Sequence, residues 1–175
     1  MITSTTTLVP DNPAAAYAAY RQAASAVFLA GTQGLKYKKD HYDLAVDLSK
    51  AGMQYIEERE DDIVIGAMTP LWQIKISPVI QEFAGGAISK AISDVADKNV
   101  QRYGTLGGVI SGKAPFSVLL PILLSLHVDV QLQDKGCMSL DDYLHCPPMG
   151  ELVTGISIAK EAVYTAYKAY RKLPA

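Results

Sequence analysis

The 175-residue sequence has few charged residues, few aromatic residues other than tyrosine, and only two cysteines. Charged residues make up 19% of the chain and the formal net charge is −2, which argues against binding nucleic acid by electrostatic attraction. The single tryptophan and the ten tyrosines lack the spacing with interleaved basic residues that indicates base stacking. Cys137 and Cys146 form no CxxC pair and have no histidine cluster nearby, so the sequence predicts neither a disulfide framework nor a zinc site.

Long apolar runs are also missing. The most apolar stretch, residues 116–126, has eleven residues and contains Pro121, whereas a membrane-spanning helix needs about twenty. Residues 1–7 lack the basic start and apolar core of a secretory signal. We therefore expect a cytoplasmic protein with reduced thiols and no membrane segment. Because hydrophobic residues make up 49% of the chain, a folded core is expected rather than disorder.

The pattern of apolar residues predicts a mixture of helices and strands. Asn12 and Pro13 precede an alanine-rich segment, which is typical of a capped helix start. Predicted strands lie at residues 26–30, 43–48, 53–58, 62–68, 128–132 and 152–158. Predicted helices lie at residues 12–24, at 71–95 with a break at Ser77 and Pro78, and at 116–126. Residues 139–144 are predicted to form a short capped turn. The pattern of residues 163–170 fits either a strand or a helix. His127 is predicted to pack in the core, and the acidic residues between 57 and 62 to form a solvated turn rather than a metal site.

Two segments are rich in glycine, residues 31–34 and residues 104–112. Glycine lets backbone amides approach a ligand closely, and loops of this kind bind phosphate groups. Neither segment matches the P-loop pattern or the G-x-G-x-x-G pattern of dinucleotide-binding folds. Two interpretations follow from the residues alone: the segments are loops that bind a cofactor diphosphate, or they are tight turns.

Short motifs in a fixed order carry a family resemblance across nearly the whole chain. They are Leu29-Ala30-Gly31, Val46-Asp47-Leu48-Ser49, the IGAMT sequence at 65–69, the RYGTLGG sequence at 102–108, Ser139-Leu140-Asp141-Asp142-Tyr143, residues 151–156 and Tyr167-Lys168. In this order they resemble the FAD-binding subunits of the molybdenum hydroxylases. That family includes the flavoprotein subunits of xanthine dehydrogenase and carbon monoxide dehydrogenase.

The resemblance implies an α+β fold with two small subdomains and FAD in the cleft between them. Residues 1–58 would form a helix and strand subdomain. Residues 59–175 would form a second subdomain, in which helices flank an antiparallel sheet. Family members usually continue into a separate C-terminal α+β domain, for which this sequence has no corresponding residues after Ala175.

The resemblance also assigns cofactor-binding residues by position. The first segment would approach the FAD diphosphate and adenosine part and comprises Leu29, Ala30, Gly31, Thr32, Gln33, Gly34 and Leu35. Gly104, Thr105, Gly107 and Gly108 would supply a second set of backbone and hydroxyl donors, and Thr69 belongs to the same site. Lys168 matches a family lysine near the flavin, where a cation stabilises a reduced, anionic ring; the alternative is a solvated lysine. No residue is assigned as a catalytic acid or base.

Two functions follow from the resemblance. In the first, the chain is an electron-transfer subunit whose FAD passes electrons between the [2Fe–2S] clusters of a small subunit and an acceptor, next to a large subunit that carries the molybdenum cofactor. A homo-oligomer is compatible with this function. In the second, the chain is a flavin-free interaction or assembly protein with the same fold. The second is motivated by four residues that differ from the family pattern: Thr32 at its second glycine, Gln33 at its threonine, Val109 at its asparagine or aspartate, and Val118 at an aspartate.

Overall fold

The computed structural model describes residues 2–31, 39–95, 97–113, 117–161 and 165–169. The strands are β1 (Thr3–Leu8), β2 (Ala26–Leu29), β3 (His41–Asp47), β4 (Ile56–Glu58), β5 (Asp62–Gly66), β6 (Val128–Leu132), β7 (Gly136–Ser139) and β8 (Val153–Ala159). The helices are α1 (Pro13–Gln22), α2 (Leu71–Ile76), α3 (Pro78–Glu82), α4 (Ala87–Ser93), α5 (Lys98–Tyr103), α6 (Leu106–Gly112), α7 (Leu119–Leu124) and α8 (Leu140–His145). The predicted α+β class, with helices beside an antiparallel sheet, is confirmed.

The first sheet is parallel and has the strand order β1, β3, β2. Helix α1 covers it and begins as the sequence predicts, because the Asn12 side chain accepts a hydrogen bond from the amide of Ala15 at 2.7 Å. Ala16 of the helix and Val46 of β3 are fully buried between the two layers. Strand β1 was not predicted from the sequence, since its threonine-rich residues are mostly exposed and show no apolar alternation.

The second sheet is antiparallel and has the order β4, β5, β8, β6, β7. Its central strand β8 places Ile156 between Ile65 of β5 and Val130 of β6, and all three side chains are almost completely buried. Apolar residues at alternate positions therefore meet on one face, where the helices pack. All six predicted strands are present, with ends that differ by at most three residues from the prediction.

The predicted helical region 71–95 is confirmed as three helices, and the break falls at Ser77 as expected. Pro78 begins α3, because proline has no amide hydrogen to continue the helix before it. Between α3 and α4, Ala84, Gly85 and Gly86 all have positive φ angles of 49°, 59° and 72°. This left-handed segment reverses the chain and brings α4 back against α2.

Three details of the sequence prediction are wrong. Residues 104–112 were expected to be a loop, but most of them form helix α6. The segment 139–144 was expected to be a turn, but Leu140–His145 form helix α8, which Ser139 caps as expected. His127 is exposed and not in the core: its buried neighbours Leu126 and Val128 face inward, so the residue between them faces outward. The His127 Nδ1 atom lies 2.8 Å from a Glu161 carboxylate oxygen, and this hydrogen bond raises the pKa of His127.

The two sheets are connected by packing as well as by the chain. Leu152, just before β8, is buried in the cluster that contains Val46 and Leu48 of the first half. The Tyr17 hydroxyl of α1 also donates to a carboxylate oxygen of Glu151 at 3.4 Å. In sequence, the change from one sheet to the other falls between β3 and β4; the subdomain boundary after residue 58 stays a prediction. Within the described ranges, no helix is long and apolar enough to cross a membrane.

Candidate functional site

Gly31 of the first glycine segment meets the start of the second segment in the structure. Gly31 follows β2 and lies directly against the backbone where α5 ends, so that a Cβ atom on Gly31 would be 1.7 Å from the Tyr103 carbonyl oxygen and 3.2 Å from Gly104 Cα. Real Cβ atoms do not approach other atoms this closely, and only glycine fits. The structure therefore places Gly31, the described glycine of the first predicted cofactor segment, beside Gly104 of the second, although the two are far apart in sequence.

Gly104 connects α5 to α6 and is held from both sides. Its amide donates to the Val100 carbonyl at 2.7 Å, and its carbonyl accepts from the Leu71 amide at 2.9 Å. A Cβ atom on Gly104 would be 2.5 Å from the Val100 carbonyl oxygen. Gly104 is therefore required by the close turn of its own backbone, which fixes the position of the residues that follow.

Helix α6 begins at Thr105, which is almost completely buried. The Thr105 Oγ1 atom accepts a hydrogen bond from the Gly108 amide at 3.2 Å, so Thr105 is the N-cap of the helix. The Gly107 amide donates to the Ala67 carbonyl at 2.8 Å. A Cβ atom on Gly107 would be 2.8 Å from Ala67 Cβ. The first turn of α6 is thus packed tightly against the chain that follows β5.

Thr69 also contacts the first turn of α6, from the chain that follows β5. Its side chain is fully buried, and its hydroxyl donates to the Tyr55 carbonyl at 2.9 Å and accepts from the Tyr55 amide at 3.1 Å. The Thr69 carbonyl accepts from the Leu106 amide at 3.1 Å. Thr69 therefore positions α6 through its backbone; a direct contact between its side chain and a cofactor stays a prediction.

The remaining predicted site residues fall into three groups. Leu29 ends β2 and Ala30 follows it, next to Gly31. Thr32, Gln33, Gly34 and Leu35 lie outside the described residues. Lys168 lines an open cavity of about 440 Å³ together with Tyr167 and residues at the end of α4. The described glycines of the two segments do not line this cavity. The three assignments stay predictions.

The chemistry of these groups can be compared with what FAD requires. The amides of Gly104, Gly107 and Gly108 all donate to protein atoms, so in this arrangement they are not free to bind phosphate. The Thr105 hydroxyl accepts from Gly108, and its own proton has no acceptor among the residues that the structure describes. Gly108 is exposed beside it. The Thr105 hydroxyl is thus the group at this site with a proton left to donate to a cofactor oxygen such as those of FAD, and this role stays a prediction.

Sequence reasoning identified the glycines and Thr69 but missed the residues that they contact. Tyr103 meets Gly31 and Tyr55 meets Thr69 through backbone atoms, and Ala67 meets Gly107 through its carbonyl oxygen and its small Cβ atom. Such contacts place little demand on the type of residue, so the sequence gives little sign of them. Tyr103 had one signal, since it is a large aromatic residue directly before a predicted cofactor glycine. The importance of these positions is visible only in three dimensions.

The role of Thr105 can be tested by removing its hydroxyl. Thr105→Ala should lower the free energy of unfolding by about 1 kcal/mol, because the N-cap of α6 is lost. Thr105→Ser keeps the hydroxyl and should restore most of this stability. Urea denaturation of the three proteins measures the difference, and equal stability of the alanine and serine variants would show that the cap contributes nothing.

The sequence matches a known protein family. Residues 3–160 match the family model described as the FAD binding domain in molybdopterin dehydrogenase. The chain is also 29% identical over 124 residues to YgfM of Escherichia coli K12, covering 70% of this chain. It spans only 46% of the length of YgfM.

Solved structures share the fold. The chain is similar to a chain of the Cu,Mo-CO dehydrogenase with a TM-score of 0.80 and 24% identity, covering 92% of this chain and 61% of that one. It is similar to a chain of quinoline 2-oxidoreductase from Pseudomonas putida 86 with a TM-score of 0.81 and 18% identity, covering 93% of this chain and 60% of the other. The family match extends over most of the sequence and includes both glycine segments. The chain therefore belongs to the family of FAD-binding domains of molybdopterin dehydrogenases.

Proposed function

We propose that this chain binds FAD and serves as the electron-transfer component of a molybdenum hydroxylase type of oxidoreductase. The observation that carries the proposal is the contact of Gly31 with the backbone of Tyr103 and Gly104, in a chain that matches the FAD-binding family over residues 3–160. The contact joins Gly31 to the start of the second segment, and the family resemblance assigns both to the cofactor.

In this proposal the protein provides position and electrostatics. When bound, FAD supplies the redox chemistry, since a flavin accepts and releases electrons that no side chain here can carry. Gly31 allows close approach of the backbone, the Thr105 hydroxyl donates to a cofactor oxygen, and Thr69 holds the α6 end in place. Lys168 contributes a positive charge beside the flavin ring.

We further propose a cytoplasmic complex with two partner subunits. One would carry the molybdenum cofactor and the other the [2Fe–2S] clusters, as implied by the family resemblance. Support comes from the fold shared with chains of a CO dehydrogenase and of quinoline 2-oxidoreductase, which are oxidoreductases. The chain spans about 60% of those chains, so the activity of the whole complex is part of the proposal.

Titration with FAD tests the cofactor. The purified protein should bind FAD with one site per chain, measured by calorimetry and by the visible absorbance of the flavin after gel filtration. FMN, which lacks the adenosine part, should bind more weakly, because it cannot contact both segments. A protein that is folded by circular dichroism but binds no FAD at micromolar concentrations would contradict the proposal.

The second candidate is a flavin-free assembly protein, and one observation favours it. Val109, which stands where the family has a polar residue, packs against the hydrophobic core beside Ile110. A valine side chain also offers no hydrogen bond to a cofactor. Affinity purification of the tagged chain from its own cells distinguishes the two: molybdenum and iron–sulfur subunits together with flavin support the first function, and the same subunits without flavin support the second.

A further inference from the structure

The aromatic side chain of Tyr103 is exposed to solvent beside the contact of Gly31 with Gly104. Tyr103 is the last residue of α5 and is 61% exposed, which is a large fraction for a tyrosine ring. Its carbonyl oxygen is the atom that contacts Gly31. The next residue, Gly104, accepts the hydrogen bond from Leu71 that ties α5 to α2. The ring is therefore attached to a rigid backbone at the centre of the candidate site.

Other tyrosines of the chain have neighbours that explain their positions. Tyr20 stacks on Phe28 with ring centroids 4.2 Å apart, and Tyr143 lies under the Lys113 ammonium group at 5.6 Å. In contrast, no hydrogen bond, ring contact or ion pair of the Tyr103 side chain occurs within the described ranges. An exposed aromatic face with no partner, on a fixed backbone, is suited to stacking with a planar ligand ring.

We infer that Tyr103 is a stacking platform for the adenine ring of bound FAD. The inference rests on the proposed function, in which Gly31 lies near the diphosphate and adenosine part of FAD. Lys168, which the same proposal assigns to the flavin ring, lines a separate cavity with residues of α4. Stacking on an aromatic side chain needs no hydrogen bond to the base and strengthens binding of any nucleobase with an open face. Tyr103 is thus a binding residue that determines affinity for the adenosine half of the cofactor.

Calorimetric titrations of Tyr103 variants with FAD, FMN and ADP test this inference. Tyr103→Ala and Tyr103→Leu should weaken binding of FAD and ADP by about tenfold, and should leave FMN binding unchanged because FMN has no adenine. Tyr103→Phe keeps the ring and should stay close to wild type. Met149→Ala, which changes a side chain that is 94% exposed, is the matched control and should change none of the three affinities.

The outcomes separate this inference from the proposed function. If wild type binds no FAD, both are overturned. If wild type and Tyr103→Ala bind FAD equally, the proposed function stands and the inference is overturned. Equal weakening of FAD and FMN would place the flavin ring on Tyr103 and overturn the adenine assignment. Should the alanine variant fail to fold, the comparison of leucine with phenylalanine decides, since both fill the position and only phenylalanine has a ring.

Discussion

Gly31→Ala is expected to reduce FAD affinity by at least tenfold, equivalent to about 1.4 kcal/mol. The added Cβ atom would lie 1.7 Å from the Tyr103 carbonyl oxygen, and this backbone atom cannot rotate away as a side chain can. The end of β2 must therefore move away from the end of α5, which separates the two cofactor segments. Such overpacking should also cost about 1–3 kcal/mol of folding free energy. Calorimetric titration with FAD and urea denaturation measure the two effects.

Gly112→Ala is the matched control for Gly31→Ala. Gly112 lies at the end of α6 with nothing within 4 Å of an added Cβ atom. Alanine is a better helix former than glycine, so this variant should be as stable as wild type or slightly more stable. It should bind FAD normally. If Gly31→Ala also binds FAD with wild-type affinity, the contact between the two segments is not needed for the site.

The second large effect is expected at Gly107. A Cβ atom there would be 2.8 Å from Ala67 Cβ and 3.0 Å from the Ala67 carbonyl oxygen. That carbonyl already accepts the hydrogen bond of the Gly107 amide, so the helix cannot shift without breaking it. Gly107→Ala should lower the free energy of unfolding by about 1–3 kcal/mol, seen as a lower urea midpoint with an unchanged slope.

The neighbouring glycine provides the comparison. A Cβ atom on Gly108 would meet only the Thr105 Oγ1 atom, at 3.1 Å, and Gly108 is exposed. Gly108→Ala should therefore fold with nearly wild-type stability. If it nevertheless loses FAD affinity, Gly108 is needed for close approach of the cofactor, whereas Gly107 is needed for packing. Equal loss of stability in both variants would contradict this division.

The predictions from sequence were most accurate where a local pattern determines structure. Asn12 and Pro13 began a helix as expected, and Pro78 marked the break between α2 and α3. Alternating apolar residues located β6 and β8 because each buries one face. Strand β1 was not predicted because its threonines are exposed and give no alternating apolar pattern. This strand is stabilised by its pairing with β3. The glycines of α6 were expected in a loop, but the Thr105 cap and the packing on Ala67 outweigh the low helix propensity of glycine.

By itself, the sequence determined the class of fold, most of the elements and, through the order of its motifs, the family. These follow from interactions between residues close together in the chain, or from motifs that can be recognised one after another. Only the tertiary structure decided that Gly31 contacts Tyr103. It also decided that the amides of Gly104, Gly107 and Gly108 donate to protein atoms and that the Tyr103 side chain is exposed. Each of these depends on backbone atoms from distant parts of the chain, which meet only when the two sheets are packed together.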